Sequence, residues 1–547
     1  MQEVKENIID QKLRGGYYTP KAIAEFLCRW SINADTQSIL EPSCGDGNFV
    51  ESAILRFKEL GIKGESLKGR IKGIELIEEE SIKAKKRAAK LGLNSNTIIN
   101  SDFFSYIESS TSKKYDVVIG NPPFIRYQNF PEEHRALAIQ MMQDLGLKPN
   151  KLTNIWVPFL VISASLLKDS GKMAMVIPAE LFQVKYAAET RVFLSKFFQR
   201  ITIVTFKKLV FQDIQQEVVL LLCEKKVHHG KGIRVIECEN IKDLDGLNFK
   251  EINGSNVKPI DHSTEKWTKY FLNEEEIHLL KRLKNDKRII SCGDIMKVEV
   301  GLVTGRNEFF MLNEQQVNQW KLQPYTIPVV SRSNQLKGIT FSEEDFSNNS
   351  VAQNSIYLFM PPNEDFEMLP KACQKYIKYG EEQSFHTGYK TRIRKRWYIT
   401  PSLWVPDAFA LRQVGDYPKM IMNKTGASST DTIHRVKFKG NTDRNIVTAS
   451  FLNSLTFAFS EITGRSYGGG VLTFEPTEIQ EIKIPIVGDI NIDFLKLDSL
   501  IRQRKIEDAL DIVDNELLIG YHGFKKEELK VLRDIWKKMA SRRTNRK

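Results

Sequence analysis

The sequence predicts an α/β chain: a doubly wound, mostly parallel sheet, then a mixed, largely β domain and a helical tail. Three observations carry this. The first half alternates short apolar runs with segments of helical period. A glycine-containing turn, "EPSCGDGNF" at 41 to 49, joins the first of those runs to the first of those helices. Past about residue 267 the alternation stops, and turn residues and aromatics take over.

The elements follow in order. "SIL" at 38 to 40 reads as a strand entering that turn. From 49 to 60, Phe49, Ala53, Phe57 and Leu60 fall on one helical face. "IKGIEL" at 71 to 76 is strand-like, and "EEESIKAKKRAAKLG" is a helix that Gly92 would stop. "NTIINSD", "YDVVIG" and "KMAMVIPAEL" are three more strands, with helices expected between the last two and at 187 to 200. "ITIVTFK" and "EVVLLLCEK" close the first half as an expected antiparallel pair. The turn-rich stretch 253 to 267 reads as a linker. The stretch 331 to 470 suggests an irregular, mostly β domain, and from about 490 the chain turns helical again. Its last 23 residues carry ten Lys or Arg against three Asp or Glu.

Composition narrows the function classes. The 547 residues are 41% hydrophobic and 27% charged, as in globular proteins. Lys and Arg number 80 against 68 Asp and Glu, a balance of +12 that leans towards an anionic partner. The six cysteines form no C-x-x-C and have no histidines at ligand spacing, so no metal site is expected and a reducing, cytoplasmic setting is. No apolar run is long enough to span a bilayer, and the N-terminus does not read as a signal peptide.

Three successive strand ends carry chemistry. The turn holding Gly45 and Gly47 lets backbone approach a ligand beside a helix start, although a plain tight turn would use the same glycines. Glu75, ending the next strand, can accept from both hydroxyls of a ribose. Asp102 and Phe103, after the third, can accept from an exocyclic amine and stack on a purine. Together they suggest an adenosyl ligand without a polyphosphate.

The fourth strand runs into "GNPPF". Each proline fixes φ and pushes the residue before it to extended geometry. Asn121 and Pro122 are therefore held extended, so the Asn121 side-chain oxygen and the Pro122 carbonyl can point at one exocyclic –NH₂. Accepting both its hydrogens frees the nitrogen lone pair to attack an electrophilic methyl group. Phe124 offers a face for a base. In isolation Asn and prolines also make ordinary turns.

The ordered set "GGYYTP", "EPSCGDGNF", "GIEL", "NSDFF" and "NPPF" resembles the γ-class, N-P-P-Y/F adenine-N6 DNA methyltransferases. The resemblance implies a Rossmann-like S-adenosylmethionine domain over 1–260, a DNA target-recognition domain over 268–490 and a helical basic segment over 491–547. It implies methylation of N6 of a flipped-out adenine in double-stranded DNA, as the modification component of a restriction-modification system. Thr19 and Glu41 would contact the methionine end of the cofactor, and Pro42, Ser43, Cys44, Gly45 and Gly47 would line it. Glu75 would hold the ribose, Leu76 would pack on the cofactor adenine, Asp102 would accept from its amine and Phe103 would stack on it. Asn121, Pro122, Pro123 and Phe124 would form the catalytic corner, with Phe211 on the other side of the target base. Phe124 departs from the commoner Tyr, which removes a hydroxyl contact but keeps the stacking face.

In the second domain, "TRIRKRWY" sets Arg392, Arg394, Lys395 and Arg396 beside Trp397, a pattern that can hold phosphates and stack on bases. A solvated basic face would look the same. The expected partner is double-stranded DNA bound by a monomer, with a separate cognate restriction endonuclease as a candidate second partner. No P-D…(D/E)-x-K nuclease constellation is visible. Two rival readings stay open: an N-P-P enzyme acting on RNA guanine N2 or a protein glutamine, and a DNA-binding module without catalysis.

Overall fold

A computed structural model describes residues 18–545, apart from 63, 111–112, 127–128, 150–152, 209, 211–216, 250–251, 253–256, 402, 441–442, 467–468, 487 and 489. The chain divides into two compact units, the first ending at Glu274 and taking in Asn545–Lys547, the second running from Glu275 to Thr544.

The first unit is built on an eight-stranded sheet of order β3-β2-β1-β4-β5-β7-β6-β8. Its strands are β1 Ile39–Glu41, β2 Ile71–Glu75, β3 Ile98–Asn100, β4 Tyr115–Gly120, β5 Leu167–Pro178, β6 Arg200–Phe206, β7 Val218–Glu224 and β8 Gly232–Cys238. Strands β3 to β5 run parallel across the sheet, and β7 enters antiparallel between β5 and β6. The apolar runs are long because both faces are covered: β6 and β7 are buried at every position. One core layer collects Ile39, Val117, Ile119, Ala174 and Val176 from alternate strand positions. Against them pack Phe26 of helix Lys21–Ser31, Phe49, Ala53 and Phe57 of helix Asn48–Glu59, and Ala84 and Ala88 of helix Glu78–Lys90. The last of these starts with Glu78, Glu79 and Glu80 and ends with Arg87 and Lys90, charges placed to suit the helix dipole.

The parallel core and the β6–β7 antiparallel pair match expectation; β8 was not read from the sequence. Lys231, Arg234 and Glu237 break its apolar run, yet it pairs parallel with β6 from Gly232 to Cys238. The described part of the stretch read as a linker also differs. Lys258 exchanges backbone hydrogen bonds with Ile233, both 2.8 Å, and Trp267 is fully buried. Arg191, 1% exposed, donates to the carbonyls of Leu181, Val184, Thr264 and Glu265 at 3.0–3.1 Å. Turn-rich composition signalled irregular backbone here, and a buried guanidinium holds that backbone in place.

The second unit contains a five-stranded sheet, in order Met296–Glu299, Ile433–Phe438, Ala408–Leu411, Met420–Asn423 and Thr340–Phe341. A four-stranded sheet orders Met311–Leu312, Tyr357–Phe359, Thr326–Val330 and Ser428–Ser429. Helices Phe494–Arg502, Ile506–Val513 and Lys526–Thr544 follow. Leu497, Ile501, Leu510, Val513 and Trp536 pack with Ile339, Leu452 and Phe457, so this helical stretch is part of the unit's own core. Arg543, near the chain end, is 2% exposed and pairs with equally buried Glu461 at 3.0 Å. It also donates to the carbonyls of Gly415, Gly470 and Asp416.

Among the described residues no helix is long and apolar enough to cross a membrane, no group of His, Cys, Asp or Glu is arranged to hold a metal, and all six cysteines are buried and unpaired.

Candidate active site

The strand order reverses between β1 and β4, so the turns leaving their C-terminal ends open a crevice there. The turn after β1 is shaped by Gly45 at φ +50° and Gly47 at φ +89°. At Gly47 a Cβ would lie 2.9 Å from Ala84 Cα, so only glycine lets helix Glu78–Lys90 come this close. Arg87 on that helix pairs with Asp46 at 2.5 Å and Glu51 at 3.0 Å, fastening the turn from the outside.

Glu75, 7% exposed, ends β2 directly beneath. Its two oxygens accept from the Gly45 and Ile77 backbone N–H groups, each at 2.8 Å. Every carboxylate oxygen keeps a second lone pair, so these bonds fix the carboxylate without closing it to a diol. Burial pushes the Glu75 carboxyl above its ordinary value, against the pull of those hydrogen bonds. Leu76 follows, exposed. Asn100 supports the strand end by donating to the carbonyls of Glu75 and Leu76.

Glu41 is 2% exposed, and its Oε2 has no hydrogen-bond partner. Burial, then the charges of Glu75 and Asp46, raise its carboxyl well above the ordinary range, while the Val50 N–H works the other way. Thr19 is also buried and anchors through its carbonyl, which accepts from Asn48 at 2.6 Å. Pro42, Cys44 and Gly47 are buried, with Ser43 and Gly45 half-buried between them.

At the end of β3, Asp102 caps helix Phe103–Ser109. Its Oδ1 accepts from Ser105 N–H at 2.9 Å and Ser105 Oγ at 3.0 Å, and His134 Nδ1 lies 3.3 Å away. Phe103 is 2% exposed, stacked on Phe159 at 5.1 Å and tilted against Phe104 at 5.3 Å. Those neighbours hold its ring within an aromatic cluster. Sequence reading missed His134 and Ser105. Ser105 had a local signal, since an Asp three residues ahead caps a helix. His134 had none.

The proline corner follows β4. The Ser43 hydroxyl donates to the Asn121 carbonyl at 3.3 Å, tying the glycine turn to the corner. A Cβ on Gly120 would lie 3.5 Å from Glu41 Cγ and from Pro42 Cδ, so the ends of β1 and β4 run side by side. Pro122 is buried, Asn121 and Pro123 are half-buried, and Phe124 packs on the core beneath. The structure therefore gathers Glu41, the glycine turn, Glu75 and the corner at one crevice, with Asp102 on the neighbouring strand end. Phe211 lies outside the described residues.

Residues 48–211 match the model of the Eco57I restriction-modification methylase, and residues 264–518 match the C-terminal domain of Type II methyltransferase M.Eco57I. The chain belongs to this methylase family. The methylase is 23% identical over 486 residues to Type II methyltransferase M.AccI of Acinetobacter calcoaceticus, covering 85% of this chain and 84% of that one. It is 21% identical over 601 residues to M.BstVI of Geobacillus stearothermophilus, covering 96% and 98%. Its fold is shared with the Type IIL restriction-modification enzyme MmeI, solved in complex with DNA, at TM-score 0.62 and 13% identity, over 95% of this chain and 75% of that one.

In the second unit of the methylase the five residues of the basic stretch differ in their surroundings. Arg392 and Lys395 are exposed. Arg394 donates to the Val303 carbonyl at 2.9 Å and lies over the Phe310 ring. Arg396 is spent on Asp365 at 2.8 Å and on Asn363. Trp397 packs on Phe309, centroids 4.6 Å apart, and its indole N–H donates to Glu381 at 3.1 Å. Its ring is a packing surface inside the unit, which leaves Arg392 and Lys395 as the exposed cations of the stretch, with Arg394 half-buried.

Proposed function

We propose that this methylase transfers a methyl group from S-adenosylmethionine to N6 of an adenine flipped out of double-stranded DNA, as the modification half of a restriction-modification pair. The observation that carries the reading is the Asn121–Phe124 corner, hydrogen-bonded through Ser43 to the glycine turn at the point where the strand order reverses.

The donor set suits the cofactor. The partnerless oxygen of Glu41 is placed for an ammonium, Glu75 for a ribose diol, exposed Leu76 for an adenine face and Asp102 for its amine. When bound, S-adenosylmethionine supplies the electrophilic methyl carbon. The chain does the rest by position. Asn121 and Pro122 accept both hydrogens of the target amine, the nitrogen becomes more tetrahedral, and its lone pair turns towards the methyl. Methyl transfer from the bound cofactor would exchange its S–C bond for an N–C bond, with one amine proton passing to water. An uncharged amide is suited to this place, because a carboxylate would hold the neighbouring sulfonium in its ground state. Extruding the base costs a few kcal/mol, and stacking on Phe124 returns about 1–3 kcal/mol.

Incubation of the full chain with methyl-labelled S-adenosylmethionine and mixed-sequence plasmid DNA tests the reading. N6-methyladenine in the nuclease digest is the expected product. Label on RNA guanine or on protein glutamine but not on DNA would replace it.

Glu41 adds a pH prediction. The free carboxyl sits high, and an ammonium beside it would pull it down. The complex then holds fewer protons than the free protein, so affinity for the cofactor should rise with pH up to the free-state value of Glu41. Calorimetry in two buffers of different ionisation heat should show proton release on binding, and Glu41→Gln should remove it. Equal proton release in Glu41→Gln would move the ammonium elsewhere.

A further inference from the structure

Several arginines of the second unit are held in ion pairs. Arg396 has Asp365, Arg412 has Glu475, Arg444 has Asp407 and Arg543 has Glu461. One cluster differs. The loop 301–306 is anchored where Leu302 exchanges backbone bonds with Ser429 and Asp431. It then runs against the segment 385–395. The Arg394 guanidinium donates to the Val303 carbonyl. Gly305 and Gly388 make the approach close: added Cβ atoms would sit 2.7 Å from Lys390 Cβ and 2.9 Å from Arg306 Nε. Thr391 Oγ1 secures the second segment on the carbonyls of Phe385, His386 and Gly388.

This packing brings Arg306, Lys390, Arg392 and Arg394 into one neighbourhood. None of the ion pairs among the described residues involves any of them. Among acids near these segments in sequence, Asp365 takes Arg396, Glu381 takes the Trp397 indole, and Glu308 is exposed. Three buried side-chain nitrogens of these two segments, Arg306 Nε, His386 Nδ1 and Arg394 Nη1, have no hydrogen-bond partner. Burial lowers the Arg394 guanidinium from its ordinary value, with no carboxylate acting to restore it. Guanidinium N–H groups without a protein partner keep donors for an external anion. Around the cluster stand three exposed apolar side chains: Val303 at 41%, Tyr389 at 67% and Ile393 at 61%.

We infer that loop 301–306 and segment 385–395 form a clamp for a backbone phosphate of duplex DNA, with Arg306 and Arg394 holding the phosphodiester and Val303, Tyr389 and Ile393 packing on the adjoining sugar and base edge. The clamp rests on the reading that the chain acts on DNA. Planar guanidinium forks match phosphate oxygens in pairs, and such contacts set the register of a protein on DNA without reading its sequence. Lys390 and Arg392 extend the positive field along the strand.

The test is a salt series of equilibrium binding to a fluorescein-labelled mixed-sequence duplex, using the full chain. Removing one cation that neutralises a phosphate should reduce the slope of log K against log salt by about 1. Arg306→Gln with Arg394→Gln should therefore reduce it by about 2 and weaken binding roughly tenfold or more at low salt. Ile393→Ser should weaken binding without changing the slope, because it removes an uncharged group. Arg444→Gln, a cation of the same unit outside the clamp, should leave both unchanged. Should the double variant unfold, Lys390→Glu, an exposed substitution, must still lower the slope. Wild-type slope in a folded double variant or in Lys390→Glu overturns the clamp while leaving the methylase reading intact. Absence of any salt-dependent DNA binding by the unaltered chain overturns both.

Discussion

Asn121→Ala is expected to cut methyl transfer by about 10²–10³-fold or more, with binding of S-adenosylmethionine unchanged. The expectation follows from what the side chain does. In the proposed reaction it contributes a fixed dipole aimed at the amine, and removing one such positioned acceptor typically costs that much in the chemical step. The bond between the corner and the glycine turn uses the Asn121 backbone carbonyl, which alanine retains. Single-turnover transfer and calorimetric cofactor binding separate the two quantities. Asn121→Asp keeps the shape but adds charge, and should recover part of the missing rate. Full turnover in Asn121→Ala would remove the corner from the chemistry. Failure to bind the cofactor would make it a scaffold.

The largest expected effect on stability lies at the Arg543–Glu461 pair of the second unit. Arg543→Met leaves a carboxylate with no ion partner in an apolar interior, and breaking a buried pair in this way costs about 3–5 kcal/mol. Three backbone carbonyls are also left without their donor. Urea titration should report the destabilisation, and adding Glu461→Gln should restore part of the stability, because the remaining partner is then uncharged. The sign with pH follows from the carboxyl. Burial already lifts Glu461 above its ordinary value with Arg543 present. Without Arg543 it rises further and takes up a proton more readily, so the cost of Arg543→Met should shrink as pH falls. A cost independent of pH would place the effect in the carbonyls stripped of their donor.

The features legible in the sequence were those whose cause is local. β1, β2 and β4 are mostly buried strands inside the sheet, and the strand ends carry the glycines, carboxylates and prolines that make the crevice. What escaped depends on partners distant along the chain. His134 reaches Asp102 across 32 residues, from a helix whose sequence gives no sign of it. Arg87 looks like one of several cations on a solvated helix until the turn at Asp46 folds beside it. Trp397 follows four basic residues in a row of five and reads as a stacking platform, yet Phe309, nearly ninety residues earlier, covers it. In the second unit, strands such as Thr340–Phe341 and Ser428–Ser429 are two residues long, too short to show a period of two.

The seating of residues 258 to 272 against Arg191 matters for anyone building chimaeras of such enzymes. Composition invites a cut near residue 255, where the chain looks dispensable. A splice there would strip the buried guanidinium of the Thr264 and Glu265 carbonyls, take away the edge partner of Ile233, and carry Trp267, Tyr270 and Leu272 into a foreign host. Exchange of second units between relatives should succeed only with a junction beyond Leu272, so that the first unit keeps its whole C-terminal strap.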